Sequence, residues 1–373
     1  MDQKISAALT AVRDSFVSLR TGLDQIVIGY SELKNALCCA LLRRTLGMKG
    51  NLLVFSAPGL AKTTLIKGAA KLIGAMNGGH VAYARTQGRN DLMPEDFLSR
   101  RMADYDAEGK IRFQQVLQTV REFLAEEVSG LPGVYFFDEL DKTPGRALHG
   151  LLEIMEEQSI TVPGLGTKDL NFALFASANT RDYDPQAQPI PRATKDRFSS
   201  VVELGFLPLD DDISVLKMVG TGKKNPLPSV SHIESGNLDA LRKLVAQQGL
   251  GNLVVIDDKI YQGCATVTKL TQSKVSGFTD FTDKFKTPAG PRSYIDLLQE
   301  AAVMSLLKGE TAINPQTCIE VGCRVYRGRV EMSASVTGAG ETADTWITKI
   351  LYEVFGGTQS GSGSGGSGGS NPQ

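Results

Sequence analysis

Two short runs carry side chains suited to phosphate chemistry. The first, Ser56-Ala57-Pro58-Gly59-Leu60-Ala61-Lys62-Thr63-Thr64, follows the apolar run Leu52-Leu53-Val54-Phe55 and opens a helical one. A loop leading from a strand into a helix N-terminus offers unpaired backbone N–H groups and the positive end of the helix dipole to an anion. Gly59 would let the chain turn close to phosphates, Lys62 would reach the β and γ oxygens, and Thr63 would place its hydroxyl on Mg2+. The strict pattern GxxxxGK[ST] is not met, because Ser56 and Ala61 stand at its two glycine positions. Ala61 is acceptable there if its backbone is helical, since only a positive φ demands glycine.

The second run, Val134-Tyr135-Phe136-Phe137-Asp138-Glu139, ends a buried strand with two carboxylates, 76 residues beyond Lys62. Asp138 can orient Mg2+ through its water shell, and Glu139 can polarise an attacking water. The carboxyl ends of parallel strands are where α/β sheets bind ligands. One acidic residue leaving a core is commonplace; two, following a phosphate loop, point to nucleotide hydrolysis.

The surrounding pattern supplies elements to hold these groups. Fully apolar runs recur at Leu52–Phe55, His80–Ala84, Val134–Phe137, Phe172–Ala176 and Val201–Phe206, separated by helical segments. Such strands must be covered on both faces, which predicts a parallel sheet flanked by helices, an α/β domain over residues 1–206. Ile5, Leu9, Val12, Phe16 and Leu19 form one stripe of a first helix, and a second covers about 31–46. Beyond Leu209 the strand runs thin out. Helical patterns at 236–247, 257–270, 293–308, 315–329 and 343–355 predict a smaller helical domain over 207–355, with Asn237 and Asp257 as N-caps and Pro315 in a first turn. Residues 220–235 and 271–289 read as loops, and the Gly/Ser-rich tail 356–373 as disordered.

Composition narrows the class. With 373 residues, 42% of them apolar, the chain can bury a large core, and a formal charge of −1 argues against a protein held mainly by nucleic-acid backbones. No stretch approaches 18 uncharged apolar residues, so no membrane span is expected. The N-terminus lacks the pattern of a secretory signal. Five cysteines without CxxC spacing read as reduced, buried thiols of a cytoplasmic protein, and the three histidines show no metal-ligand spacing.

The combination of motifs resembles the AAA+ ATPases and, within them, the MoxR family of the helix-2-insert branch. Val27-Ile28-Gly29-Tyr30 resembles the family's "vGq" segment, and Pro58–Thr64 its PGLAKT loop, alanine included. Arg89–Asp96 and Glu108–Phe113 resemble the flanks of the helix-2 insert. Asp138–Pro144 followed by Leu151–Glu157 resembles DEINRAP followed by ALLEAMEE. Ser159–Gly164 is similar to the hairpin before the first sensor, Phe175–Thr180 to the sensor strand, and Gly290–Ser293 to the second sensor. Val325–Val330 resembles the late LRHRI segment.

The resemblance implies a five-stranded P-loop core with a helical lid, ATP and Mg2+ as cofactors, and a ring of identical copies, usually a hexamer, with nucleotide between neighbours. It implies roles for Pro58 to Thr64 around the phosphates, Thr63 and Asp138 at the metal, and Glu139 at the attacking water. Asn179 is implied as first sensor and Arg197 as the arginine finger acting on a neighbour's ATP, with Arg192 a nearby competitor. Arg292 is implied as the second sensor, coupling lid angle to the γ-phosphate. Lys142 departs from the family's arginine, and a point-charge ammonium is not a bidentate fork. The implied role is remodelling, maturing or loading a cofactor into a protein client, often alongside a partner with a von Willebrand factor A-type domain. A nucleic-acid motor is the rival reading, for which Lys110, Arg112 and Lys168 on inserts are thin support.

Overall fold

The computed structural model describes residues 3–80, 82–105, 110–128, 130–180, 184–221 and 230–356. From residue 357 onward the expected disordered tail lies outside them, as do 222–229 of the expected loop. The chain begins with helices α1 (Gln3–Ile26) and α2 (Ser31–Thr45). Strand β1 (Leu52–Ser56), helix α3 (Lys62–Met76) and strand β2 (Tyr83–Gln87) follow. A hairpin of β3 (Ser99–Tyr105) and β4 (Ile111–Leu117) stands between β2 and β5 (Gly133–Asp138). Helix α4 (Gly145–Glu157), a second hairpin of β6 (Ser159–Val162) and β7 (Gly166–Asp169), β8 (Phe172–Ala178), the short α5 (Arg192–Lys195) and β9 (Ser200–Leu204) complete this part.

Five of these strands form one parallel sheet in the order β2-β5-β8-β1-β9. Alternation within each strand sends residues to opposite faces. Leu52, Val54, Val134, Phe136, Phe175 and Val202 join the core beneath α1, α2 and α3, while Leu53, Tyr135, Phe137, Phe172, Leu174 and Val201 join the core under α4. Each of these large side chains is almost wholly buried, contributing about 1.5–3 kcal/mol apiece. The strand expected at His80–Ala84 forms later, because Gly78 and Gly79 take positive φ where α3 ends.

The helical region comprises α6 (Leu209–Gly220), α7 (Ser235–Gln248), α8 (Asp258–Gln272), α9 (Pro291–Leu307), α10 (Pro315–Tyr326), α11 (Ala334–Gly338) and α12 (Ala343–Phe355). The buried apolar residues of α7, α8, α9, α10 and α12 share one continuous core with α1 and α2, while α6 buries none. Asp257 caps α8 by accepting from the Lys259 N–H at 2.8 Å, and Pro315 opens α10. Asn237 is not a cap: its N–H already donates to the Glu234 carbonyl at 3.1 Å, so α7 starts earlier, at Ser235. The region expected as a loop at 271–289 contains a short strand, Phe285–Thr287, anchored by buried Phe281 and Phe285.

Candidate functional site

The turn from β1 into α3 is a cradle of left-handed backbone. Gly59 sits at φ +84° with nothing within 4 Å of where a Cβ would be. Ala61, expected to be helical, is instead left-handed at φ +55° and ψ +12°. The loop must turn here to aim the N-terminus of α3 into the open, and without a glycine the Cβ pays about 1 kcal/mol of steric cost. No side chain caps α3, so its first N–H groups stay available to an anion. Lys62 lies at its start, buried, with Nζ on the Ser56 hydroxyl and 3.2 Å from the Ala57 carbonyl. Ser56, the departure from glycine, thus gives the ammonium a resting partner. Burial pushes the Lys62 ammonium below the usual lysine range, while Asp138, Asp141 and Glu139 pull it the other way. Pro58 and Thr64 are exposed; Leu60 and Thr63 are half-buried at the loop.

Those three carboxylates come from the neighbouring strand edge. Because β1, β8 and β5 run parallel and adjacent, their carboxyl ends share one side of the sheet. Asp138 accepts from the Ser177 hydroxyl and from Arg85 Nη2, the latter at 2.5 Å. Glu139 turns away from the strand at φ +57°. Its N–H donates to Ser177 Oγ at 3.1 Å, and its carboxylate accepts from Gln87 at 3.0 Å and Lys142 at 3.2 Å. Gly88 makes this approach possible: a Cβ there would lie 2.1 Å from the Glu139 carbonyl oxygen. Asn179, half-buried at the end of β8, donates its N–H to Asp141 at 2.9 Å. Asp141 was not singled out from sequence. It is buried with Oδ2 unpartnered, and burial raises its carboxyl against the pull of the Asn179 N–H and Lys142. Lys142 also reaches Asp184 at 3.5 Å, so it is engaged within its own chain.

Beside the loop opens an apolar slot of about 360 Å3, reached by Val27, Ile28, Tyr30, Leu207, Val215 and Met218 as well as by Gly59 to Ala61. Helix α6 supplies one wall. That wall was missed in the sequence because its charged and apolar residues were not read as a helix.

The arginines stand elsewhere. Arg197 and Arg292 line a separate cavity of about 430 Å3 that contains no residue of the phosphate loop. Arg292 pairs with Glu156 at 2.9 Å and Asp196 at 3.2 Å. Arg197 donates to the Ala193 carbonyl at 2.6 Å, and its Nε is 3.9 Å from Glu156. Arg192 donates to the Pro288 carbonyl at 2.8 Å, braced against the helical region. The structure therefore gathers Lys62, Asp138, Glu139 and Asn179 at one edge, and Arg197 and Arg292 at another.

Comparison with known proteins accords with this fold. Residues 51–200 match the model of the ATPase family associated with various cellular activities. Chaperone MoxR1 of Mycobacterium tuberculosis is 23% identical over 334 residues, spanning 89% of this chain and 80% of its own length. Protein MoxR of Methylorubrum extorquens is 27% identical over 200 residues, 54% of this chain and 52% of its own. A crystal structure described as that of an ATPase from Cytophaga hutchinsonii shares the fold with a TM-score of 0.72 and 21% identity, covering 93% of this chain and 96% of that one. Among the described residues no helix is long and apolar enough to cross a membrane. Taken with the loop into α3 and the acidic strand end, these likenesses mark residues 51–200 as an ATPase domain of that family and support an ATP-hydrolysing enzyme similar to the MoxR proteins.

Proposed function

We propose that the chain is a Mg2+-dependent motor: a ring of identical copies, hexameric by family resemblance, that hydrolyses ATP at shared sites and remodels or loads a protein client in the cytoplasm. The observation that carries this reading is the separation of the two clusters. Among the described residues no arginine lines the slot beside the loop, and the guanidinium at the carboxylates, Arg85, is paired with Asp138, while Arg197 and Arg292 line a cavity without a residue of that loop. Two incomplete halves on one chain become a whole site when a second copy docks.

In that site the α3 N-terminus and Lys62 bind the phosphates, and adenine fits the apolar slot beside Tyr30 and Met218. Glu139 orients and polarises the water, and Asn179 holds it in line. The neighbour's Arg197 stabilises charge on the phosphoryl group in flight, an effect worth roughly 10³–10⁵ in rate. When bound, Mg2+ would supply positive charge to offset that of the phosphates. Thr63 and Asp138 would hold it, and one hydroxyl with one carboxylate suffices because Mg2+ keeps several waters.

Chaperone MoxR1 carries a chaperone name, which supports the client-remodelling role; a von Willebrand factor A-type partner follows from the resemblance. The division into a core to residue 206 and a lid from 207 belongs to the same proposal. The test is ATP turnover and assembly of the purified chain. Lys62→Ala is expected to lose nucleotide binding. Glu139→Gln is expected to retain ATP, stop turning over, and sediment as a stable ring; a Glu139→Gln chain that stays monomeric with ATP bound would contradict the ring.

A further inference from the structure

The cavity that holds Arg197 and Arg292 contains a third cation, Lys49, from the turn between α2 and β1. All three converge on Glu156 in the last turn of α4. Lys49 Nζ lies 2.7 Å from Oε1, Arg292 Nη2 lies 2.9 Å from the same oxygen, and Arg197 Nε is 3.9 Å from Oε2. One carboxylate cannot satisfy three cations. Arg197 Nε is buried without a hydrogen bond. Lys49 and Arg292 keep 45% and 42% of their side chains exposed. The other acids of the cavity are committed: Asp196 is shared between Arg292 and Arg329, and Asp296 is held by Arg43 and Arg329. Partial burial would push the Glu156 carboxyl up, but Lys49, Arg292 and Arg197 outweigh it and keep it below the usual carboxylate range. A cluster of this kind, short of anionic charge and facing a void, suits a phosphate, which brings more charge and more acceptor oxygens than a carboxylate.

We propose that Glu156 is a placeholder for phosphate: it keeps Lys49, Arg197 and Arg292 gathered until the terminal phosphate of a neighbouring copy's nucleotide displaces it, and Lys49 is the third cation offered to that phosphate. The inference rests on the shared-site reading above and adds two residues to it. If Glu156 were only a brace between α4 and α9, removing its charge would weaken the site. As a placeholder it competes with the incoming phosphate, so removing its charge strengthens docking.

The experiment measures the protein concentration at which ATP drives assembly, by analytical ultracentrifugation in a Glu139→Gln background where ATP persists. Glu156→Gln, which keeps the shape, is expected to lower that concentration about tenfold, the shift that one competing charge-assisted contact is worth. Lys49→Met is expected to raise it several-fold, and Lys49→Arg to restore it. A Glu156→Gln midpoint that stays put or rises, or a Lys49→Met midpoint that does not move, overturns the placeholder. Arg197→Ala in the same background separates the two ideas. If Arg197→Ala leaves assembly unaltered, the shared site itself fails; if it impairs assembly while Glu156→Gln and Lys49→Met do nothing, only the placeholder does.

Discussion

Ala61 and Glu139 both hold left-handed backbone at the carboxyl-end edge of the sheet, at φ +55° and +57°. Neither is a glycine, so each stores a small steric cost where the chain must change direction sharply, a recurrent feature of functional turns. Ala61 offers a direct check. Ala61→Gly is expected to be neutral or to stabilise the protein by up to about 1 kcal/mol, because glycine adopts this φ freely. Urea unfolding measures it, and the loss of about 1 kcal/mol usual for Ala→Gly within a helix would contradict the left-handed assignment. That Lys62, Asp138 and Glu139 come together at one edge of the sheet was legible in the sequence, because a loop opening a helix and an acidic strand end meet at the carboxyl side of parallel strands. The φ of Ala61 was not, because a single residue's dihedral is set by where the next helix must point. Asp141 escaped notice for a related reason: its importance lies in accepting from the Asn179 N–H on another strand, 38 residues away.

At the scale of elements, the sheet was readable because its inner strands β1, β5 and β8 are apolar on both faces, and four of the five strands formed essentially where the runs stand; the polar edge strand β2 is the one that did not. Helix α6 was not readable. Leu209, Ile213, Leu216 and Val219 are all exposed, and no residue of the helix is buried, so its pattern answers to no core. The β3–β4 hairpin was seen only through its flanks, since a hairpin in an insert need not bury a face. The carboxyl ends of β2 and β5 make a sharper prediction. The Gly88 N–H donates to the Asp138 carbonyl at 2.7 Å, and a Cβ on Gly88 would lie 2.1 Å from the Glu139 carbonyl and 2.6 Å from Thr143 Oγ1. Gly88→Ala must move Glu139 while leaving the β1–α3 loop in place. It is expected to lower kcat at least about tenfold, a shift in barrier near 1.4 kcal/mol, with nucleotide affinity retained. Equal kcat in variant and wild type would show that Glu139 does not depend on that close approach.

Across the whole molecule, a buried ionic chain joins the arginine-bearing segment to the helical region. Asp196 pairs with Arg329, Arg329 with Asp296, Asp296 with Arg43, Arg43 with Glu300 at 3.1 Å, and Glu300 with Arg324 at 2.9 Å. These arginines come from α2, α10 and the turn after α10, so core and helical region share their counter-ions. Burial alone would raise the Asp296 carboxyl, but Arg43 and Arg329 outweigh it and hold it below its ordinary 3.8. The unfolded chain therefore binds that proton more readily than the folded one. The stabilisation is in place above the unfolded value and is lost as pH falls through the lower folded value. Asp296→Asn removes the carboxylate that two buried guanidiniums share, leaving Arg43 on Glu300 and Arg329 on Asp196 at 3.9 Å, and is expected to cost about 3 kcal/mol near neutral pH, with the gap to wild type narrowing in acid. Denaturant titrations across that range measure it; a gap independent of pH would contradict the ionic linkage.

The shared site is tested most directly by mixing two inactive chains. On the proposed shared-site reading, Lys62→Ala is expected to lose nucleotide but keep its arginines, and Arg197→Ala to hold nucleotide with no finger to lend. Each alone is expected to be nearly silent in ATP turnover. Mixed, a fraction of interfaces pairs an intact loop with an intact Arg197, and turnover is expected to return, greatest when both chains are present in quantity. Activity that stays at the level of the separate variants at every mixing ratio, in rings shown to contain both chains, would contradict a site built from two copies.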